Sequence, residues 1–346
     1  MEQLHLGLAV VTLASVLQGS FLVPMTHVRR WPWENSWAVF SLLGMIGFNW
    51  ALAFVSVPSL RAVYADASLE MFLIPAIFGL FWGLGAVGFG LGVAAVGLAL
   101  GYAVVMSLVL SLGAFIPMAA LYPKEILTAK GITVIVGVAV MVVGMALFGK
   151  AGMRKEKEQA QRSGKITKLS TASMKLGLMI CIFGGIFSCL PNVGYALSQP
   201  LLDLAESHDT SPRWAGNAVW SILLSCGGVV NLAYCGYLFK KNGSLKEYLC
   251  PEFLRNLCLM ALASLMWMAS FSLYGVGAQM MGKWGTVIGW SVFIALSVSV
   301  ASIWGVVQGE WAGTSRQTRT LMLLGIAILV LTIFILAYGG SLPTAK

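Results

Sequence analysis

The chain has 346 residues, of which 58% are hydrophobic and only 10% are charged, and its mean hydropathy is +0.85. So few charges exclude a soluble globule of this length and predict a protein whose main solvent is the bilayer. The formal net charge of +9 could indicate a nucleic-acid partner, but the Lys and Arg residues lie between apolar runs with no aromatic-rich basic face, so we exclude nucleic acid.

Apolar windows of sufficient length predict ten membrane-spanning helices. Crossing about 30 Å of hydrocarbon at about 1.5 Å per residue takes roughly 20 apolar residues. Only glycines in GVAAVGLALG separate the third window from the fourth, so nine spans are the alternative count. The predicted spans cover residues 6–25, 37–57, 71–93, 97–120, 131–149, 175–197, 215–238, 256–279, 284–308 and 320–339.

Basic residues are concentrated on one side of these predicted spans. Sixteen of the 22 Lys and Arg residues fall in, or directly beside, the loops that follow the odd-numbered spans. By the positive-inside rule these loops face the cytoplasm, and both termini face outside. The richest segment, KAGMRKEKEQAQRSGKITK, is interpreted as a solvated topology signal, with contact to anionic lipid as the alternative.

The same basic segment divides the chain into two sets of five spans. We predict a first repeat over residues 1–149, a basic cytoplasmic linker over residues 150–174 and a second repeat over residues 175–346. An odd number of spans per half gives the halves opposite directions in the membrane, which is an inverted repeat. Equivalent positions in the third and eighth spans carry the same Trp and Gly spacing: Trp82, Gly90, Gly92 and Trp267, Gly275, Gly277.

This organisation favours a secondary transporter, because two inverted halves can exchange conformations around a central cavity. An enzyme is disfavoured, since no acid-base cluster, metal cluster or phosphate-binding motif is embedded in the predicted spans. The three histidines, His5, His27 and His208, lie in predicted loops or at a terminus. We therefore expect no enzymatic activity, no cofactor and no metal.

Neutral polar and aromatic side chains are the candidates for substrate binding. Carboxamides offer paired donors and acceptors to hydroxyl groups, and an indole face can support the apolar face of a sugar ring. This combination indicates a neutral polyol. Each residue also has a structural alternative, since a membrane Asn or Gln often bonds a neighbouring helix and a Trp often lies at the interface. The candidate wall residues are Gln18, Trp82, Asn192, Asn217, Trp267 and Tyr274.

Several segments carry a family resemblance. The most specific is FLVPMTHVRRWPWENSW in the first loop, with Pro24, Trp31, Trp33, Glu34 and Trp37. The others are FGLFWGLGAVGFGLG, GGIFS, LMW from Leu265 and EW from Glu310. With these segments the chain resembles, nearly from end to end, the L-rhamnose/proton symporters of the drug/metabolite transporter superfamily.

The resemblance implies an all-α polytopic protein of the bacterial inner membrane, with ten helices in a 5+5 inverted repeat. It implies import of a neutral deoxysugar, L-rhamnose, by proton symport. The partners would be the sugar, a proton and lipid, with the protein working as a monomer or homodimer. Glu34, in the matching WPWE segment, is the candidate proton-coupling carboxylate.

Two other functions stay open from the sequence. One is an exporter or facilitator of another small neutral metabolite on the same fold, which would move no proton with its substrate. The other is a non-transporting membrane sensor, which would bind a sugar without moving it across a sealed membrane.

Overall fold

The structure, a computed structural model, describes residues 2–163 and 171–343, and these ranges are helical almost throughout. Within them ten helices are long and apolar enough to cross a membrane, which confirms the predicted all-α polytopic class and the count of ten. We name these helices α1 to α10 in chain order. Their bounds are Gln3–Met25, Trp33–Ser56, Leu69–Val96, Leu98–Leu121, Ala129–Arg162, Met174–Leu197, Pro212–Asn242, Phe253–Met280, Gly282–Val307 and Arg316–Ser341.

A single residue, Gly97, forms the turn between α3 and α4. Its φ is +95°, a conformation that residues with a Cβ rarely adopt. The Gly97 N–H donates to the Val93 carbonyl at 2.9 Å. From α5, Glu156 Oε1 accepts a hydrogen bond from the Ala99 N–H at 2.8 Å and caps the start of α4. This glycine therefore ends one span and allows the next to begin, so ten spans form rather than nine.

Helix α5 continues beyond its predicted end at residue 149. Residues 150–163 extend the same helix into the basic segment. The sequence MRKEKEQAQR consists of strong helix formers with alternating charge, so the helix persists outside the apolar stretch. The remainder of the predicted linker, residues 164–170, lies outside the described residues.

Two helices break near their ends. Helix α1 is interrupted at Phe21, shortly before Pro24, and α6 is interrupted at Cys189, shortly before Pro191. Proline lacks a backbone N–H and clashes with the preceding turn, which accounts for both breaks. In α2 the residues Ser41–Gly47 form a π-helical segment, in which one extra residue is accommodated within the helix.

The helices pack in a regular set of pairs. Helix α3 lies against α6 and α7, and α8 lies against α1 and α2. Helix α4 lies against α5 and α6, while α9 lies against α10 and α1. Three further pairs, α2 with α7, α4 with α9 and α5 with α10, connect the two halves of the chain. The halves are therefore interleaved rather than side by side.

Glycines set the distance between several of these helices. A methyl group added at Gly92 of α3 would lie 2.6 Å from the Cys181 sulfur of α6. A methyl group added at Gly277 of α8 would lie 2.7 Å from a Val11 methyl of α1. Lipid tails are as apolar as the helices, so close van der Waals approach at small residues supplies much of the association free energy.

We expect Gly79→Ala to destabilise the protein by about 1–3 kcal/mol, because overpacking a tight helix contact forces the backbones apart. The added methyl group would lie 2.0 Å from the Leu223 carbonyl oxygen of α7. The measurement is the melting temperature in detergent. The control is Gly90→Ala in the same helix, where no heavy atom lies within 4 Å of the added methyl group. Equal melting temperatures of the two variants would contradict the close contact of α3 with α7.

Candidate functional site

Helix α8 brings the six predicted wall residues into one region. Over two turns, its side chains contact each of the predicted residues on the other helices. Trp267 stacks on Trp82, Ser270 bonds Gln18, Ser272 bonds Asn217 and Tyr274 bonds Asn192.

The two equivalent tryptophans meet at the centre of the molecule. The ring centroids of Trp82 and Trp267 are 5.9 Å apart, and their planes differ by 13°. Their side chains are 8% and 4% exposed. Phe40 of α2 lies edge-on to Trp267 with a centroid distance of 5.3 Å. In this conformation the three rings are buried and packed against one another.

Asn192 and Tyr274 form a second contact, and both side chains are fully buried. The Tyr274 hydroxyl donates to Asn192 Oδ1. Asn192 Nδ2 donates to the carbonyl oxygens of Gly113, at 2.7 Å, and Thr286, at 2.9 Å. One carboxamide thereby joins α4, α6, α8 and α9.

Gln18 and Asn217 bond to serines rather than to the other predicted residues. Ser270 Oγ donates to Gln18 Oε1 at 2.7 Å. Ser272 Oγ donates to Asn217 Oδ1 at 2.8 Å, and Asn217 Nδ2 donates to Ser56 Oγ at 2.8 Å. In this conformation the carboxamides bond neighbouring helices, which is the structural role predicted as the alternative to substrate binding.

Additional aromatic residues complete the centre. Phe271 lies between Trp267, at a centroid distance of 4.8 Å, and Trp220, at 5.3 Å. Trp220 in turn stacks on Tyr195 at 4.5 Å, and its buried Nε1 has no hydrogen-bond partner among the residues that the structure describes. A sequence signal for Phe271 existed: with Trp267 and Tyr274 it has i, i+4, i+7 spacing, which places all three on one helix face.

Glu34 lies at one end of the membrane region rather than at the centre. It occupies the first turn of α2 and is 5% exposed. Its Oε1 accepts hydrogen bonds from Asn242 Nδ2, at 2.9 Å, and Ser244 Oγ, at 2.7 Å. Both donors are neutral, and no ion pair with a described cation compensates the charge. The two hydrogen bonds favour the charged carboxylate, whereas burial opposes the charge.

The tryptophans around Glu34 anchor α2 to α7 and α8. Trp37 Nε1 donates to Asn231 Oδ1 of α7 at 2.9 Å, and Trp33 stacks on Trp37. Trp31 is 7% exposed and packs against Tyr248 and against Phe253 at the start of α8. The family-like WPWE segment therefore fixes the position of α2.

The opposite end of the molecule, where α1 begins, is sealed around Glu125. This carboxylate, 7% exposed, accepts hydrogen bonds from Lys283 Nζ and from Trp284 Nε1. The Lys130 ammonium lies 5.6 Å from the Trp284 ring centroid. Hydrogen bonding from Lys283 holds the pKa of Glu125 below its ordinary value, against the opposing effect of burial. These contacts fasten the loop after α4 to the start of α9.

The end at which α1 finishes is open by comparison. A cavity of about 290 Å³ lies there between α1, α4, α5 and α9. Polar and aromatic side chains at its wall include Thr26, Tyr102, Trp304 and Gln308. At its mouth Lys155 pairs with Glu310 at 3.0 Å, and Glu310 is 51% exposed. None of the six predicted wall residues lines this cavity.

Comparison with known proteins shows that the chain matches one protein family over nearly its whole length. The family model described as L-rhamnose-proton symport protein (RhaT) matches residues 2–341. The L-rhamnose-proton symporter of Shigella flexneri is 26% identical over 326 residues, which cover 92% of this chain and 93% of that protein. The symporter of the same name from Escherichia coli strain SMS-3-5 is also 26% identical, with the same coverage of both chains.

We expect the seal at Glu125 to be pH-dependent. Because the carboxyl has a lowered pKa in the folded protein, its stabilising contribution is complete above the ordinary value of 4.5 and is lost as the pH falls through the folded value. Lys283→Met removes the main cause of the shift. Its melting temperature should be lower at neutral pH, and the loss of stability that Glu125 causes in the wild type as the pH falls below 4.5 should be reduced or absent.

The matched control is Lys124→Met, because Lys124 is exposed and lies beside Glu125 in the sequence. This variant should retain the wild-type profile of melting temperature between about pH 3 and pH 8. Identical pH profiles for the Lys283 variant and the wild type would show that the bond does not stabilise the seal.

Proposed function

Because the chain belongs to the L-rhamnose-proton symport protein family, we propose that it imports L-rhamnose together with a proton across the bacterial inner membrane. The observation that carries this function is the family match over residues 2–341, which includes all ten spanning helices. The family is one of transporters, not of enzymes.

The ten helices are proposed to form a 5+5 inverted repeat of the drug/metabolite transporter type. Adding five to each helix number, and continuing from α10 to α1, converts the contacts of α3 with α6 and α7 into those of α8 with α1 and α2. The same shift converts the contacts of α4 into those of α9. The pairs α2 with α7, α4 with α9 and α5 with α10 map onto themselves, as pairs across a pseudo-two-fold axis do.

Local geometry supports the same relation. Arg30 and Asp209 are the only non-glycine residues of the described chain with positive φ, 65° and 62°. Each lies three residues before a helix start, at Trp33 and at Pro212. A rare conformation at matching positions is expected when two loops descend from one ancestral loop.

The sugar is proposed to bind between Trp82 and Trp267, one from each half. Their equivalent positions put them across the pseudo-axis, where movement of the halves separates the stacked rings. A deoxysugar presents apolar C–H groups on its ring faces, which suit an indole on either side. The unpaired Trp220 Nε1 nearby is a donor available to a hydroxyl group.

The carboxamides are proposed to exchange partners during transport. Asn192, Asn217 and Gln18 bond other helices in the closed centre, and a buried polar group left without a partner costs about 1–3 kcal/mol. When the helices separate, sugar hydroxyls can replace the lost partners. The same residues would then serve as helix contacts and as ligands in turn.

The conformation suits a transporter open toward the cytoplasm. On the proposed orientation, with both termini in the periplasm, the Glu125 seal faces the periplasm and the 290 Å³ cavity faces the cytoplasm. One closed end and one open end are the elements of alternating access. Glu34 is the proposed proton-coupling carboxylate, because it is buried in the family-like WPWE segment and has no ion-pair partner among the described residues.

The direct test uses the protein reconstituted in sealed liposomes that contain a pH-sensitive dye. External L-rhamnose should acidify the lumen and accumulate inside, whereas sugars that are not substrates should do neither. Sugar flux without acidification would identify a facilitator or exporter. Binding without flux would identify a sensor and overturn the proposal.

Trp82→Ala and Trp267→Ala should each reduce L-rhamnose affinity on the order of 10-fold or more, since each removes an aromatic face. The control is Trp214→Ala at the start of α7, where the side chain is 37% exposed. Wild-type affinity in both central variants, with folded protein confirmed by chromatography, would exclude the central stack as the sugar site.

Glu34→Gln should abolish sugar-driven acidification while retaining exchange of labelled L-rhamnose across the membrane. The amide keeps the shape of the side chain but cannot carry the proton. Glu70→Gln is the control, because Glu70 is exposed at the start of α3. Normal acidification by the Glu34 variant would assign coupling to another group.

A further inference from the structure

Helix α2 carries a polar seam inside the membrane region that is separate from the six predicted wall residues. It runs along the contacts of α2 with α7 and α8, next to the central tryptophans. We define the α2 seam by seven residues: Trp37, Ser41, Asn49, Trp50, Ser225, Asn231 and Ser264.

The π-helical segment Ser41–Gly47 lies at the middle of the seam. Inserting a residue into a helix disrupts the usual backbone bonds, and side chains take up carbonyl groups there. Asn49 Nδ2 donates to the Gly44 carbonyl oxygen, and Ser225 Oγ of α7 is 3.4 Å from the Met45 carbonyl oxygen. Trp50 Nε1 donates to Ser225 Oγ at 2.9 Å.

Most side chains of the seam therefore have partners, but two do not. The hydroxyls of Ser41 and Ser264 are fully buried and have no hydrogen-bond partner among the described residues. In a helix a serine commonly bonds the carbonyl four residues earlier, as Ser299 does with Ala295 at 2.8 Å. Two unpaired hydroxyls at the bilayer interior are costly, since no water is present there to compensate them.

Ser41 begins the π-helical segment, Ser264 packs against it, and both lie close in sequence to aromatic residues of the central stack. Ser264 precedes Trp267 by one turn of α8, and a methyl group at Gly44 would lie 3.2 Å from the Ser264 Cβ. Ser41 directly follows Phe40, whose ring contacts Trp267. An object held between Trp82 and Trp267 would therefore have these hydroxyls beside it once α2 moves away from α8.

We propose that Ser41 and Ser264 form a hydroxyl-recognition subsite for the sugar, which the π-helical segment opens. Each serine donates to, or accepts from, one hydroxyl group of the ligand and so gains the partner that it lacks in the unliganded protein. The subsite orients a polyhydroxylated ring whose apolar faces lie on the tryptophans. This inference rests on the proposed sugar transport and adds the residues that select among neutral sugars.

If each serine is unpaired and also binds the ligand, removing its hydroxyl should raise stability and lower affinity. Ser41→Ala and Ser264→Ala should raise the melting temperature of the unliganded protein by about 1–3 °C, because each removes an unpaired buried hydroxyl. Each should also weaken L-rhamnose binding on the order of 3- to 10-fold. An unpaired serine without a ligand role gives the gain in stability but no loss of affinity.

The control is Ser299→Ala, since Ser299 is also buried but bonds its own helix. Its L-rhamnose affinity should equal that of the wild type. The measurement is titration calorimetry with the full-length protein in nanodiscs, with melting temperatures recorded on the same samples. Affinities of both seam variants within twofold of the wild type would overturn the subsite.

A second measurement identifies the sugar hydroxyl that each serine contacts. The wild type is titrated with L-rhamnose analogues that each lack one hydroxyl. For each serine, the analogue that lacks its partner hydroxyl should bind on the order of 3- to 10-fold more weakly than L-rhamnose. The corresponding Ser→Ala variant should bind that analogue and L-rhamnose equally well. Additive losses instead would assign the hydroxyl to other residues.

The outcomes also separate this inference from the proposed function. If the wild type binds and transports L-rhamnose but the seam variants behave like Ser299→Ala, the subsite is wrong and the transport function stands. If the wild type binds no L-rhamnose at all, the transport function fails, and the subsite fails with it.

Discussion

Buried polar groups in a bilayer have to find their partners within the protein, because the hydrocarbon offers none. This constraint explains why α8 is the organising helix. Ser270, Ser272 and Tyr274 each bond a carboxamide on another helix, and Trp267 supplies the central aromatic contact. The closed centre is thus held by the same kinds of group that a sugar needs, and in the proposed function separating the helices and binding the sugar are one exchange of hydrogen bonds.

The two ends of the molecule differ in how deeply their loop carboxylates are buried. At one end Glu125 is buried between a lysine and a tryptophan, and a second lysine lies over the ring. At the other end Glu310 pairs only with Lys155 and is half exposed beside a cavity. Both carboxylates lie in the loop between the fourth and fifth helices of their half. The two carboxylates thus differ in exposure, since Glu125 is buried and Glu310 is half exposed.

Hydropathy was sufficient to predict the ten helices, because the membrane requires about 20 apolar residues for each span. The pairing of Trp82 with Trp267 followed from matched spacing with two glycines. Their contact is present at 5.9 Å, although its role in binding stays a prediction. The partners of Asn192 could not be predicted, since two of them are backbone carbonyls, which every residue has. The π-helical segment of α2 was equally hidden, because it depends on support from Ser225 of another helix. The helical extension of α5 lay beyond the reach of an apolar window, which ends where charges begin.

The one-residue turn at Gly97 has a consequence for biogenesis. Helices α3 and α4 leave the ribosome with no loop between them, so neither can settle in the membrane before the other, and they must be inserted as a hairpin. The start of that hairpin's second helix is capped by Glu156, which is synthesised more than fifty residues later, at the far end of α5. The first half of the protein is thus completed cotranslationally only when the charged end of its fifth helix returns to the turn.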